Sequence, residues 1–260
     1  MRRYAQIYKE CMRIGFRQAF AYRVNFLLSF FITLAGNILF PLITILIYRT
    51  GSSFPGWNFY EVLLLQAVYT ISDGFASIVT GGVLWMTLNH VKEGSLDTVL
   101  LKPVNPLFFL VSSSFAPDNI ALVIGGGVLF AVAMGHLGGI TVYAALGSFV
   151  LFLSGVAVLA GMAFLMAATS FKWVGNSRIP EIFDSVKGFG IYPITIFPKA
   201  VQAVITFIVP VAVIGYYPAS VLLGKGAGSG YLLCIPCILF FLASIWLFGF
   251  MIRLYEGVGG

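Results

Sequence analysis

Residues 24–48 read VNFLLSFFITLAGNILFPLITILIY, an apolar run without one charged side chain. A helix rising about 1.5 Å per residue crosses a ~30 Å hydrocarbon core within that length, with some to spare for tilt. The stretch therefore reads as a membrane-spanning helix. Just before it stand Arg2, Arg3, Lys9, Arg13, Arg17 and Arg23, which hold that flank on the cytoplasmic side. Lys9, Arg13 and Arg17 fall on one helical stripe and Tyr4, Ile7, Tyr8, Cys11, Ile14 and Phe20 largely elsewhere, so residues 1–23 suit an amphipathic helix lying in the interface. The basic start resembles a signal peptide, but the distance to the apolar run and the lack of a small-x-small cleavage site argue that the first span is retained.

The rest of the chain repeats the pattern. Of its 260 residues 60% are hydrophobic and 9% charged, against about 45–50% and ~25% in soluble domains. A glycine- and proline-bearing turn at 49–59 leads to a second span over 61–88. An inner loop over 89–105 leads to a third, 106–134. A tight turn at 135–139 precedes a fourth over 140–171, and a last span covers 231–252. Between them, 172–225 is punctuated by Pro180, Pro193, Pro198, Pro210 and Pro218 and carries Glu181, Asp184, Lys187 and Lys199. One net crossing is needed there. Either 177–197 crosses and 199–223 folds back at the outer surface, or an amphipathic cytoplasmic segment precedes a crossing near 201–223. With the first alternative twelve Lys and Arg, Lys187 among them, fall inside and three (Arg49, Lys199, Lys225) outside. The expectation is one all-α membrane domain of six spans with both termini cytoplasmic.

Several chemistries are excluded by what is missing. Gly224-Lys225 is the only Gly-Lys pair and no G-x-x-x-x-G-K-[ST] phosphate cradle exists, so any ATP and Mg must be handled by another chain. His90 and His136 fall in loops on opposite sides, which leaves neither a histidine metal site nor a His-based triad. Cys234 and Cys237 have redox spacing but sit inside an apolar helix, and with Cys11 they read as packing residues. The basic residues do not cluster on a soluble face, so no nucleic-acid partner is indicated. No catalytic, cofactor-binding or metal-binding residue is assigned.

Two acids are expected within the membrane. An ionised carboxylate there costs at least ~2.5–3.5 kcal/mol unless it faces protein or water, which makes Asp73 and Asp118 candidates for a transport pathway. A structural hydrogen bond between helices, or for Asp118 a helix restart beside Pro117, explains them equally well. Asn37 and Asn25 are weaker candidates of the same kind. In the inner loop, Leu96, Val99, Leu100 and Leu101 among polar neighbours read as a short amphipathic helix stopped by Pro103. Such an element docks on a soluble partner or simply lies in the interface.

The loop EGSLDTVLLKP (93–103), together with YPITIFP (192–198), FIVP (207–210) and YYPA (216–219), resembles the small six-span permeases of ABC-2-type (type V) exporters. The likeness extends over essentially the whole chain, with the tail YEGVGG (255–260) matching only loosely. It implies that Glu93, Gly94, Ser95, Leu96, Asp97, Leu100 and Leu101 form a coupling element seated on a separate ATP-binding-cassette ATPase. It also implies that residues 1–23 are an elbow beside that element and that 198–224 re-enter from outside. Two permeases, alike or different, and two ATPases would make the working unit in a bacterial cell membrane, in contact with lipid. The contrasting reading is a secondary transporter driven by an ion gradient through Asp73 or Asp118. The short chain and the lack of an internal repeat argue against it, and a membrane enzyme lacks the convergent groups it would need.

Overall fold

The computed structural model describes residues 2–173, 178–225 and 230–255, and every regular element among them is helical. Five stretches are long and apolar enough to cross a membrane: 23–49, 59–92, 117–136, 142–169 and 231–254. Ser177, and the tail residues 256–260, lie outside the described residues.

Helix α1 (Arg2–Ala21) and α2 (Arg23–Arg49) are joined at Tyr22. After the turn at Trp57, α3 (Phe59–Thr80) starts from a capping box: the Asn58 side chain accepts from the Glu61 N–H, and the Glu61 carboxylate accepts from the Asn58 N–H. A pair of glycines, Gly81 and Gly82, separates α3 from α4 (Val83–Lys92). Gly94, at φ +65°, then closes α4 in a left-handed cap, with Ser95 N–H on the His90 carbonyl. The five-residue helix α5 (Leu96–Leu100) follows directly.

Asn105 and Pro106 start α6 (Pro106–Ser113), whose first turn is capped by the Asn105 side chain. Here the structure corrects the sequence reading, because the third span begins at Pro117 and not at Pro106. Pro117 has no N–H to continue a helix and pushes Ala116 out of the helical region. The chain breaks at 114–116 and restarts through a 3₁₀ turn into α7 (Ile120–His136). The separated α6 lies beside α1, with Tyr4 edge-on to Phe108 at 4.8 Å and Phe16 5.3 Å from Phe115.

α3 packs most extensively on α7, and α8 (Val142–Thr169) on α12 (Cys234–Met251). Where α3 crosses α7 the backbones themselves meet: a Cβ on Gly126 would stand 3.0 Å from the Ile71 nitrogen, and one on Gly74 2.9 Å from the Val123 nitrogen. Gly161 serves the same purpose between α8 and α12, where its Cβ would meet Ser244 at 3.0 Å.

The remaining segment runs along this bundle. α9 (Arg178–Gly188) begins beside Leu84, Trp85 and Met166, reaches Asp73 through Lys187, and continues until Tyr192 packs on Phe54 near Trp57. Residues 199–208, which include α10 (Lys199–Ala203), and 211–222, which end in α11 (Tyr216–Leu222), then form a pair bent by 79°. Just past the bend the chain lies deep in the bundle: Ser72 Oγ shares its proton between the Val68 carbonyl at 2.9 Å and the Ile214 carbonyl at 3.2 Å, and the Ile214 backbone lies against Gly155. The far end returns to Trp57: the Tyr216 ring lies tilted against that indole at 5.4 Å, and Lys225 donates to the Gly56 carbonyl and the Glu61 carboxylate.

Candidate functional site

Asp73 lies near the middle of the 59–92 span and is half-buried. Its two oxygens accept from Lys187 Nζ at 3.2 and 3.3 Å, and Ser77 Oγ donates to it at 3.4 Å. Asp184, one turn before Lys187, sits 3.8 Å from the same ammonium, and the Tyr69 hydroxyl donates to the Lys187 carbonyl. A carboxylate that would be costly alone at this depth thus has an opposite charge beside it. The charge bias counted Lys187 among the inside lysines; here its ammonium is paired with an acid of α3.

These three charged residues line two cavities at once. One, of about 240 Å³, lies between α3, α4, α8 and α9 and is lined also by Ser77, Thr80, Trp85 and Phe183. The other, of about 360 Å³, lies between α2, α3 and α9 and is lined also by Asn37, Phe40, Gln66 and Thr70. The ion pair stands between them. The structure therefore brings Asn37 and Asp73 together, as two of the candidates from sequence.

Asp118 is elsewhere. It lies in the turn that restarts α7 after Pro117, and with Asn25, Gln18 and Tyr22 it lines a separate cleft between α1, α2 and the break. Its carboxylate stands two residues before α7 begins, near the positive end of that helix.

Lys187, Asp184 and Gln66 were not singled out from the sequence, yet a signal was present. Gln66, Thr70, Asp73, Ser77 and Thr80 recur at alternating spacings of four and three, the period of one helical face. A polar stripe on an apolar span has to face protein or water. Lys187 was legible as a lysine of 177–197, the stretch that crosses in one of the two alternatives, and with that alternative as a partner for an acid in another span.

At the Gly94 end, α5 is fixed by its own apolar side. Leu96 and Val99 are fully buried in a cluster with Val83, Leu110, Phe164 and Phe248, from four other helices. Ser95 is tied to His90 Nδ1 at 2.7 Å. Of the residues expected on a partner, Leu96 and Ser95 thus hold the element in place, while Glu93, Asp97, Leu100 and Leu101 are exposed, Leu101 at 85%. Two adjacent leucines turned away from the bundle, at a helix end held rigidly by Leu96 and Val99, make a defined knob.

Residues 31–259 match the model of a protein family described as "ABC-2 family transporter protein". No curated protein and no solved structure matches.

Proposed function

The chain belongs to the ABC-2 transporter family and is a membrane permease of an ABC-type transporter, and on that footing we propose that it forms half of an export pathway driven by a separate ATP-binding-cassette ATPase. The observation that carries this is the α5 knob. Leu100 and Leu101 are offered outward on a short helix whose other face is buried against α4, α6, α8 and α12. A push on that knob moves the ends of several spans together, which is what coupling nucleotide-driven closure to a change of access requires. ATP and Mg belong to the partner, since the sequence holds no phosphate cradle of its own.

In this reading the Gly94 end and both termini are cytoplasmic and the Trp57 end is outward. Residues 178–197 cross, and 199–222 enter from outside, turn at 209–210 and leave again, which the return of Lys225 to Glu61 supports. The polar stripe of α3 lines this chain's half of the pathway, with Asp73 and Lys187 at its constriction. A second permease supplies the other half.

The test is co-purification with the ATP-binding-cassette subunit encoded beside this chain, in lipid, for the native chain and for Leu100→Asp/Leu101→Asp. The native chain is expected to hold the ATPase and stimulate its hydrolysis. The double variant, changed only at exposed positions, is expected to fold and to lose both. A chain that moves solute down an ion gradient with no ATPase bound would overturn the reading in favour of a secondary transporter using Asp73.

A further inference from the structure

The cavity between α2, α3 and α9 holds amide oxygens to which the chain gives no hydrogen bond, beside more carboxylate than ammonium. Thr44 donates its hydroxyl to the Phe40 carbonyl at 3.0 Å, so toward Gln66 it acts as an acceptor, and Gln66 Nε2 donates to it at 2.8 Å. That fixes the amide: Gln66 Oε1 is the other atom, and it is buried with no partner in a residue only 2% exposed. Asn37 uses its Nδ2 on the Thr33 carbonyl at 2.8 Å, which leaves its oxygen to offer. The Tyr69 hydroxyl is given to the Lys187 carbonyl, and the Lys187 ammonium to Asp73 and Asp184. Two carboxylates against one ammonium leave a net negative charge. An unpartnered buried acceptor is costly in an apolar surrounding, and a ligand that donates to it recovers that cost.

We propose that this cavity binds a protonated amine carried on an apolar body, with Gln66 Oε1 and Asn37 Oδ1 accepting from the ammonium and Asp184 supplying the counter-charge. The inference rests on the cavity being part of the transport pathway. The chemistry is complementary on each count: an ammonium has only donors, its charge balances the surplus carboxylate, and Phe40 and Tyr69 in the lining favour a cation near their rings. A volume of about 360 Å³ fits such a head group with a short apolar stem and lies at the small end of ligand cavities. An anionic head group would meet the surplus carboxylate.

The experiment is calorimetric titration of the full chain in phosphatidylcholine nanodiscs with dodecylamine, using dodecanol and dodecanoate as same-chain controls and empty nanodiscs as blank. Dodecylamine is expected to saturate, and the alcohol and acid only to partition. Gln66→Leu and Asn37→Leu are each expected to weaken the amine by about tenfold, the loss of one hydrogen bond to a charged group. Asn37 is on the loosely packed α2, so its variant reports on binding even if Gln66→Leu disturbs folding. Amine binding no tighter than the alcohol's, or affinity unchanged in both variants, overturns the proposal. Repeating the titration in nanodiscs containing phosphatidylethanolamine separates the two sources of the amine: competition assigns it to a lipid head group, and its absence to a free amphiphile. No ATPase is present, so failure here leaves the permease reading to be judged by the co-purification.

Discussion

Helices α2 and α3 follow one another and run side by side, yet they solve opposite problems. The most apolar part of α2 is 11% buried within the chain and that of α3 is 67% buried, although α2 is the more apolar of the two. In water the order would be reversed. In a bilayer the apolar helix is the one left facing lipid, and the helix enclosed by protein is the one able to carry Gln66, Ser72 and Asp73, because neighbouring helices supply their partners. Of these two helices, the more buried one carries the more polar side chains.

That contrast is most exposed to disproof at Asp73. Lys187→Met leaves the carboxylate uncompensated, and the expected loss is about 3 kcal/mol of stability, the lower end for a broken buried pair because both side chains keep some exposure. Thermal denaturation in nanodiscs reads it, and Asp73→Leu in the same chain is expected to restore most of the loss. No change in the single variant would show that water already reaches Asp73. Next comes Gly126→Val, whose Cβ meets backbone of α3 at 3.0 and 3.1 Å; a cost of about 1–3 kcal/mol is expected. Its counterpart on α2, Gly36→Ala, has nothing within 4 Å and is expected to be neutral or to stabilise by up to about 1 kcal/mol.

Ser72→Ala removes the hydroxyl whose proton is shared between the Val68 carbonyl and the Ile214 carbonyl just past the bend, for about 1 kcal/mol or less. The smallest effect belongs to Phe31→Leu on the exposed face of α2, expected within about 0.5 kcal/mol. A larger loss there, together with a change in oligomeric state by light scattering, would mean that a second chain rather than lipid covers that face, and would redraw the contrast.

The spans were legible because apolar length is a property of composition, and residues 24–48 announce theirs without help from the rest of the chain. The break at Pro117 was legible as a residue and not as a boundary, since an apolar run on both sides hides where a helix stops. The path through 178–222 depends on contacts distant in sequence: Lys187 on Asp73, Ser72 on Ile214, Lys225 on Glu61. No local pattern encodes these. Of the candidate site, Asp73 and Asn37 could be named from their cost in the membrane. The buried role of Leu96 could not, because periodicity within five residues does not say which apolar side chains face inward.

The separation of Asp73 from its lysine also carries a consequence in time. The two are 114 residues apart, so at about 5–20 residues per second the ribosome delivers Lys187 roughly 6–23 s after Asp73. Through that interval α3 has left the ribosome with its carboxylate unmatched, and it must wait in a hydrated setting among α2 and α7 before α9 arrives. Biogenesis therefore has a late closing step, set by the order of synthesis rather than by hydrophobicity, and a nascent chain halted before residue 187 should be more accessible to water-soluble reagents at α3 than the finished protein, in which Lys187 covers Asp73.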